Sequence, residues 1–174
     1  MTALVSAGLV CLPVSFVAAD DIAHSDKTFL KDAYQGGLAE VQLGEMGKSK
    51  GTNSELKTLA DKMITEHQKC NAELKTLADS KKVELATEPS LMAKGKLKLL
   101  DRKANAEFDK SWANQAASDH KSAIKDFENA ARDAKDGDVK AFAERTLPTL
   151  RMHLTMAESV QRAVGAVDTK TESK

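Results

Sequence analysis

Four long stretches of this chain repeat their apolar side chains at intervals of three and four residues, the period of an amphipathic α-helix. The second stretch shows this most clearly, because its apolar positions form one continuous stripe. The members of that stripe are Leu56, Leu59, Ala60, Met63, His67, Cys70, Leu74 and Leu77. An alternating apolar and polar pattern, which is typical of a half-buried strand, appears nowhere at any length. The sequence therefore predicts an all-α chain.

Turn and capping residues divide the chain into four long helices and one short helical piece. The long helices are predicted over about 26–49, 55–81, 104–134 and from the turn at 136–138 to about 164, and the short piece over 91–100. Gly51 and Asn53 mark the first turn, and Gly137 marks the last one. The connection between the second and third long helices is about 22 residues long and includes the short piece.

Four helices of similar length, with tight turns inside two pairs, predict a four-helix bundle. The long connection can run the length of a helix pair, because a chain spans about 1.5 to 3.3 Å per residue. It permits the single crossover of a ferritin-like bundle, and this is the fold that we predict. A simple up-down bundle with a capping helix is the alternative that the connection leaves open.

Composition fits one soluble domain. The 174 residues are 41% hydrophobic and 30% charged, which favours a packed core over disorder. The 26 basic and 26 acidic side chains cancel, and a nucleic-acid binder would need a net basic surface. No nucleic-acid partner is therefore expected.

The first residues differ from the rest of the chain. Residues 1–19 contain no charged side chain, and the small residues Ala18 and Ala19 precede the polar pair Asp20-Asp21. This pattern predicts a signal peptide over 1–19, a bundle domain over 20–164, and a polar tail over 165–174. We expect export to the periplasm, with peripheral attachment to the outer membrane as an option and no membrane span in the mature chain. No basic residue precedes the apolar run, which a start codon further upstream would explain.

Three of the long helices each have one histidine on the apolar side, and the first has Glu40 among apolar residues. His67, His120 and His153 lie within about two residues of their helix midpoints, as does Glu40. The midpoint of a helix has the same height along the bundle axis whichever direction the helix runs. The four side chains are therefore predicted to converge on one layer of the core. Three imidazoles and a carboxylate form a set that suits a transition metal such as zinc, iron or copper.

Other interpretations of these residues are open. A lone histidine on an apolar face more often bonds a backbone carbonyl or a nearby carboxylate. Glu40 would be solvated if a second stripe of the first helix faced the core. A ferritin-type di-iron centre is not predicted, because no Glu stands three residues before any of these histidines. After removal of the leader Cys70 is the one cysteine left, and we expect a buried, unreactive thiol.

Several short motifs along the chain resemble those of a known family. They are Phe29 to Glu45 with Gly36-Gly37 and Glu40, then Glu66-His67, Phe108-Asp109, Asp119-His120, Leu147-Pro148 and His153-Leu154. Together they resemble a bacterial family of unknown function, DUF4142, which is often catalogued as "predicted outer membrane protein" and placed among ferritin-like folds. The resemblance implies export and a four-helix bundle. It implies no reaction, and neither catalytic nor cofactor-binding residues are assigned.

The sequence leaves three functions to compare. The first is a non-enzymatic periplasmic protein of envelope maintenance or stress, with a metal at the bundle centre. The second is a metal-dependent enzyme or metal-handling protein that uses the core histidines. The third is an adaptor whose exposed face binds an envelope protein partner, and it requires a contiguous apolar patch on the surface.

Overall fold

The computed structural model describes residues 22–166, which form five helices and no strand. The helices are α1 (His24–Lys50), α2 (Ser54–Ser80), α3 (Leu91–Asp101), α4 (Asn105–Asp133) and α5 (Gly137–Ala163). The all-α prediction is confirmed, and each predicted boundary lies within two residues of the observed one. The four long helices form a bundle in which α1 packs along α2, α4 packs along α5, and the two pairs meet through α2 with α5 and α1 with α4.

Side-chain caps stand at the start of three of the five described helices, α2, α3 and α5. The Asn53 side chain accepts a hydrogen bond from the backbone N–H of Leu56 at 3.0 Å. Ser90 caps α3 by accepting from the backbone N–H of Ala93 at 3.2 Å, and Asp136 caps α5. Because each cap satisfies an N–H that a helix start leaves without a partner, the helices begin at defined residues.

The segment between α2 and α4 crosses the bundle from one end to the other. Asp109, near the start of α4, accepts hydrogen bonds from the backbone N–H groups of Thr52 and Asn53, which form the turn before α2. Both α2 and α4 therefore start at the same end of the bundle, and they run parallel. Residues 81–104 must return along the bundle between them. The predicted long connection is confirmed, and the up-down alternative does not fit.

A matching contact holds the opposite end. Asp26 in the first turn of α1 is buried, and its carboxylate accepts from the backbone N–H groups of Lys135 and Asp136 at 2.9 and 2.8 Å. Each helix pair thus supplies, from near the start of its first helix, a carboxylate that binds the turn of the other pair. The two carboxylates fix how the helix pairs align along the bundle axis, since both accept charge-assisted hydrogen bonds.

The core is divided into two apolar clusters, with a polar layer between them. One cluster surrounds Trp112 near the α1–α2 turn, and the other surrounds Phe142 near the α4–α5 turn. The boundary between them can be followed along single helices. On α2, Met63 belongs to the first cluster and Leu74 to the second. His67 lies between these two residues, so the histidine layer is enclosed by apolar packing on both sides.

Gly47 allows α1 and α4 to approach closely beside the first cluster. A Cβ at this position would lie 2.7 Å from ring atoms of Trp112. The Trp112 indole N–H donates to the backbone carbonyl of Leu43 at 2.7 Å, one turn earlier on α1. The missing side chain therefore lets a large buried ring reach the helix backbone.

Two of the predicted segments extend beyond the described part of the chain. The predicted signal peptide, residues 1–19, lies outside it entirely, as do residues 167–174 of the predicted tail. Helix α5 ends at Ala163, close to the predicted end of the bundle domain. Among the described helices, none combines the length and apolar character needed to cross a bilayer.

Candidate metal centre

Three histidines from three different helices meet in the layer between the two apolar clusters. His67 on α2, His120 on α4 and His153 on α5 are 7%, 1% and 0% exposed. Nε2 of His120 lies 3.4 Å from Nε2 of His67 and 3.2 Å from Nδ1 of His153. One ring nitrogen from each of the three lies within 4.8 Å of the other two. The structure therefore brings together the three imidazoles that the sequence placed at helix midpoints.

A backbone contact determines which nitrogen of His120 carries the proton. We call the ring nitrogen that points away from the other two histidines the outer nitrogen. In His120 this is Nδ1, which lies 2.8 Å from the backbone carbonyl of Ala116, one turn earlier on α4. A carbonyl oxygen only accepts hydrogen bonds, so Nδ1 must be the protonated nitrogen that donates. In the neutral ring the lone pair then lies on Nε2, which is the nitrogen that faces the other two histidines.

Glu66 fixes the proton of His153 in the same way. Nε2 of His153 donates to Oε2 of Glu66 at 2.8 Å, and the other oxygen of Glu66 binds the ammonium of Lys62 at 2.7 Å. Burial opposes the charge on Glu66, but hydrogen bonds from Lys62 and His153 outweigh it and lower the carboxyl pKa. The ionised carboxylate therefore accepts, and Nδ1 of His153 presents its lone pair to the cluster.

Two nitrogens that both present a lone pair cannot form a hydrogen bond with each other, although here they are 3.2 Å apart. Nε2 of His120 and Nδ1 of His153 are both acceptors in this arrangement, and a donor from His67 can satisfy only one of them. A metal ion satisfies several inward lone pairs at once. Ligand nitrogens at about 2.0–2.1 Å from an ion lie about 3.3–3.4 Å apart in a tetrahedral site. The separations of His120 from His67 and His153, 3.4 and 3.2 Å, are close to this value, and the third pair of nitrogens lies within 4.8 Å.

Burial keeps the three rings neutral at pH 7. Desolvation lowers the pKa of His67 well below its usual value, and it lowers the pKa of His120 to about 4. The pKa of His153 is also lowered by burial, although the negative charge of Glu66 opposes that shift. Neutral imidazole is the form that binds metal ions, so no proton has to leave a ring before an ion binds.

Glu40, the fourth predicted ligand, lies beside the cluster and not among the inward nitrogens. Its Oε2 is 3.8 Å from Nδ1 of His120, the outer nitrogen that donates to Ala116. The side chain is 12% exposed, so it is not solvated, and this oxygen has no hydrogen-bond partner. Burial, followed by the negative charge of Asp119, raises the carboxyl pKa well above its usual value. The role of Glu40 as a direct ligand stays a prediction.

A small cavity adjoins the cluster on the side of α2 and α5. Its volume is about 50 Å³, and its lining includes His67, His153, Glu66 and Cys70. Burial raises the pKa of the Cys70 thiol to about 11, so the sulfur is protonated at neutral pH and is a poor metal ligand. Cys70 forms no disulfide and is half-buried, so it is less buried than predicted, whereas its raised pKa agrees with the prediction of an unreactive thiol.

Glu66 is a part of the site that the sequence analysis missed. Because it is adjacent to His67, it projects about 100° away around α2, and it was not assigned to the same layer. It reaches His153 on a neighbouring helix instead. Its spacing of four residues from Lys62 is a sequence signal that the side chain is held in place.

The sequence comparison identifies the family. The family model for a domain of unknown function, DUF4142, matches residues 12–160. The chain belongs to the DUF4142 family. No curated protein shows significant similarity to this DUF4142 chain.

Solved structures similar to this DUF4142 chain are distant in sequence but share its fold. A DUF305 fragment from Deinococcus radiodurans has a TM-score of 0.72 at 11% identity, over 84% of this chain and 99% of that one. CopM, solved in a Cu(II)-bound form, has a TM-score of 0.65 at 17% identity, over 79% and 96%. A conserved hypothetical protein, rv2844, from Mycobacterium tuberculosis has a TM-score of 0.60 at 15% identity, over 86% and 97%. At these identities the likeness shows the fold alone.

Proposed function

We propose that this DUF4142 protein binds one transition-metal ion, with copper as the expected metal, between His67, His120 and His153. The observation that supports this most is the direction of the lone pairs. Ala116 and Glu66 hold protons on the outer nitrogens of two rings, so the inner nitrogens face one another without protons. Partners of this kind orient the ligands of known metal sites and fix their tautomers.

Two arguments favour copper. Imidazole nitrogens suit copper, zinc, iron and nickel, and Cu²⁺ binds a given nitrogen site most tightly among the divalent first-row metals. CopM, which has a similar fold, was solved in a Cu(II)-bound form. Zinc is the metal to compare directly, because it also accepts three histidines.

The proposal includes an envelope setting. The uncharged, apolar residues 1–17 and the small residues before Asp20 support export to the periplasm. A buried centre at the middle of a rigid bundle suits a non-enzymatic protein that holds or buffers metal ions there.

The metal-dependent enzyme is the second candidate, and the cavity beside the centre bears on it. A volume of about 50 Å³ next to His67 and His153 accommodates water-sized molecules. Binding sites for organic substrates are commonly about 300–1,000 Å³. The small space favours holding a metal over transforming an organic substrate.

Metal analysis of purified protein tests the proposal. The protein is incubated with Cu²⁺ or Zn²⁺, passed through a desalting column, and analysed for bound metal. We expect one copper per chain in the parent and less than a tenth of that in His67→Ala. His24→Ala is the matched control, because His24 is an exposed histidine at the start of α1. Equal copper in the parent and His67→Ala, or none in either, would refute the centre.

A further inference from the structure

Helix α3 presents apolar side chains on two opposite faces. Leu97 and Leu100 are buried against the bundle, at 7% and 3% exposed. Leu91, Met92 and Leu99 point away from it and are 86%, 76% and 61% exposed. These three are the most exposed large apolar side chains in the described part of the chain. Inward packing explains the first face and leaves the second face without a partner.

The exposed residues lie on one side of α3. Leu91 and Leu99 are eight residues apart, and Met92 and Leu99 are seven apart, so helical geometry puts them on the same side of α3. Gly95 lies between the two leucines and is exposed, with nothing within 4 Å of a Cβ placed there. We call Leu91, Met92 and Leu99 the outer face of α3.

Positive charge surrounds the outer face. Residues 91–103 contain five basic side chains and one acidic one, although the whole chain has no net charge. Lys94 and Lys96 are paired with Glu88 and Asp119. Lys98 and Arg102 are exposed and form no ion pair within residues 22–166. Lys98 directly precedes Leu99, and Arg102 at the C-cap of α3 is three residues after it, so helical spacing places unpaired positive charge beside the apolar side chains.

We infer that the outer face of α3 docks this protein onto the surface of an anionic phospholipid bilayer. Leucine and methionine side chains enter the region between headgroups and acyl chains, while lysine and arginine bind the lipid phosphates. Three side chains cover far less than the roughly 800 Å² per partner of a standard protein interface, so a bilayer is favoured over a protein partner.

Vesicle co-sedimentation tests this inference, with every variant made in the full chain so that residues 1–21 are the same in each. Vesicles of phosphatidylethanolamine with phosphatidylglycerol are compared with vesicles of phosphatidylcholine alone. We expect the parent to bind the anionic vesicles at least tenfold more strongly. The triple variant Leu91→Ser, Met92→Ser, Leu99→Ser should lose at least tenfold of that binding. Met152→Ser is the matched control, because Met152 is 37% exposed on α5, and it should bind like the parent.

A charge-reversal pair tests the electrostatic part separately. Lys98→Glu with Arg102→Glu should weaken binding to anionic vesicles. Lys69→Glu with Lys125→Glu, two exposed lysines on α2 and α4, should have a much smaller effect. The inference is overturned if the triple variant binds as the parent does, or if both vesicle types bind equally. It is also overturned if the parent binds neither vesicle type; dimerisation through these residues would then show that a second copy covers the outer face. Circular dichroism melting confirms that each variant is folded.

Discussion

At the scale of single residues, Glu66 links the outer nitrogen of His153 to the ammonium of Lys62. We expect Glu66→Ala to weaken copper affinity by about 10- to 100-fold with unchanged stoichiometry, because the His153 ring loses the partner that orients it. Competition with a chelator of known affinity measures this change. Glu73→Ala, at an exposed position on the same helix, is the control and should bind as the parent does. Unchanged affinity in Glu66→Ala would show that Glu66 does not position the ring.

Glu40 gives a second prediction at this scale, which concerns stability. Its buried oxygen lacks a partner, and burial raises the carboxyl pKa. As the pH rises above about 4.5, the carboxyl ionises in the unfolded state and stays protonated in the folded state. The unfolded state is therefore stabilised relative to the folded state. Glu40→Gln removes this penalty. Urea unfolding of metal-free protein measures the free energy of unfolding of both proteins. The difference in favour of the variant should grow by about 1 kcal/mol or more between pH 5 and pH 8. A gap that stays constant with pH would contradict the buried, protonated carboxyl.

The histidine layer could be predicted because it depends only on helix periodicity. His67, His120 and His153 lie on apolar stripes near helix midpoints, and both properties can be read along one chain. The contact of Glu66 with His153 could not be predicted from the sequence, because it depends on how α2 is rotated against α5. That rotation results from packing across the whole interface.

At the scale of elements, the close approach of α1 to α4 depends on Gly47. We expect Gly47→Ala to lower the free energy of unfolding by about 1 to 3 kcal/mol, because its Cβ would overlap the Trp112 ring. Gly36→Ala is the matched change on the same helix, where a Cβ meets nothing within 4 Å. It should raise stability by about 0.5 to 1 kcal/mol, since alanine favours the helix. Chemical denaturation of both variants checks the opposite signs, and equal effects would contradict the assigned packing.

The helices themselves were predictable from spacing and capping residues, and their boundaries agreed to within two residues. The path of residues 81–104 was not predictable, because a segment of this length permits both a crossover and a capping helix. The long-range contacts of Asp26 and Asp109 decide between these paths. They join residues more than 50 positions apart, which local patterns do not connect.

At the scale of the whole molecule, three buried neutral imidazoles make folding depend on pH. Between about pH 6.5 and the lowered pKa values, about 4 for His120, the unfolded chain binds protons that the folded core excludes. Stability of the metal-free protein should therefore fall as the pH drops through this range. Glu40 changes the stability in the opposite direction over this range, but its one proton is fewer than the protons of the three histidines. We expect a slope greater than about 1.4 kcal/mol per pH unit near pH 5.5, the value for one proton. Unfolding curves across this range measure it, and a flat profile would contradict neutral buried rings.

The position of the ion itself is the most direct test of the three-histidine centre. Anomalous diffraction from copper-loaded crystals, recorded on both sides of the copper absorption edge, measures it. We predict one strong peak in the core, about 2.0–2.1 Å from Nε2 of His67, Nε2 of His120 and Nδ1 of His153. Copper found only at surface residues such as His24, with no peak between the three rings, would contradict the centre.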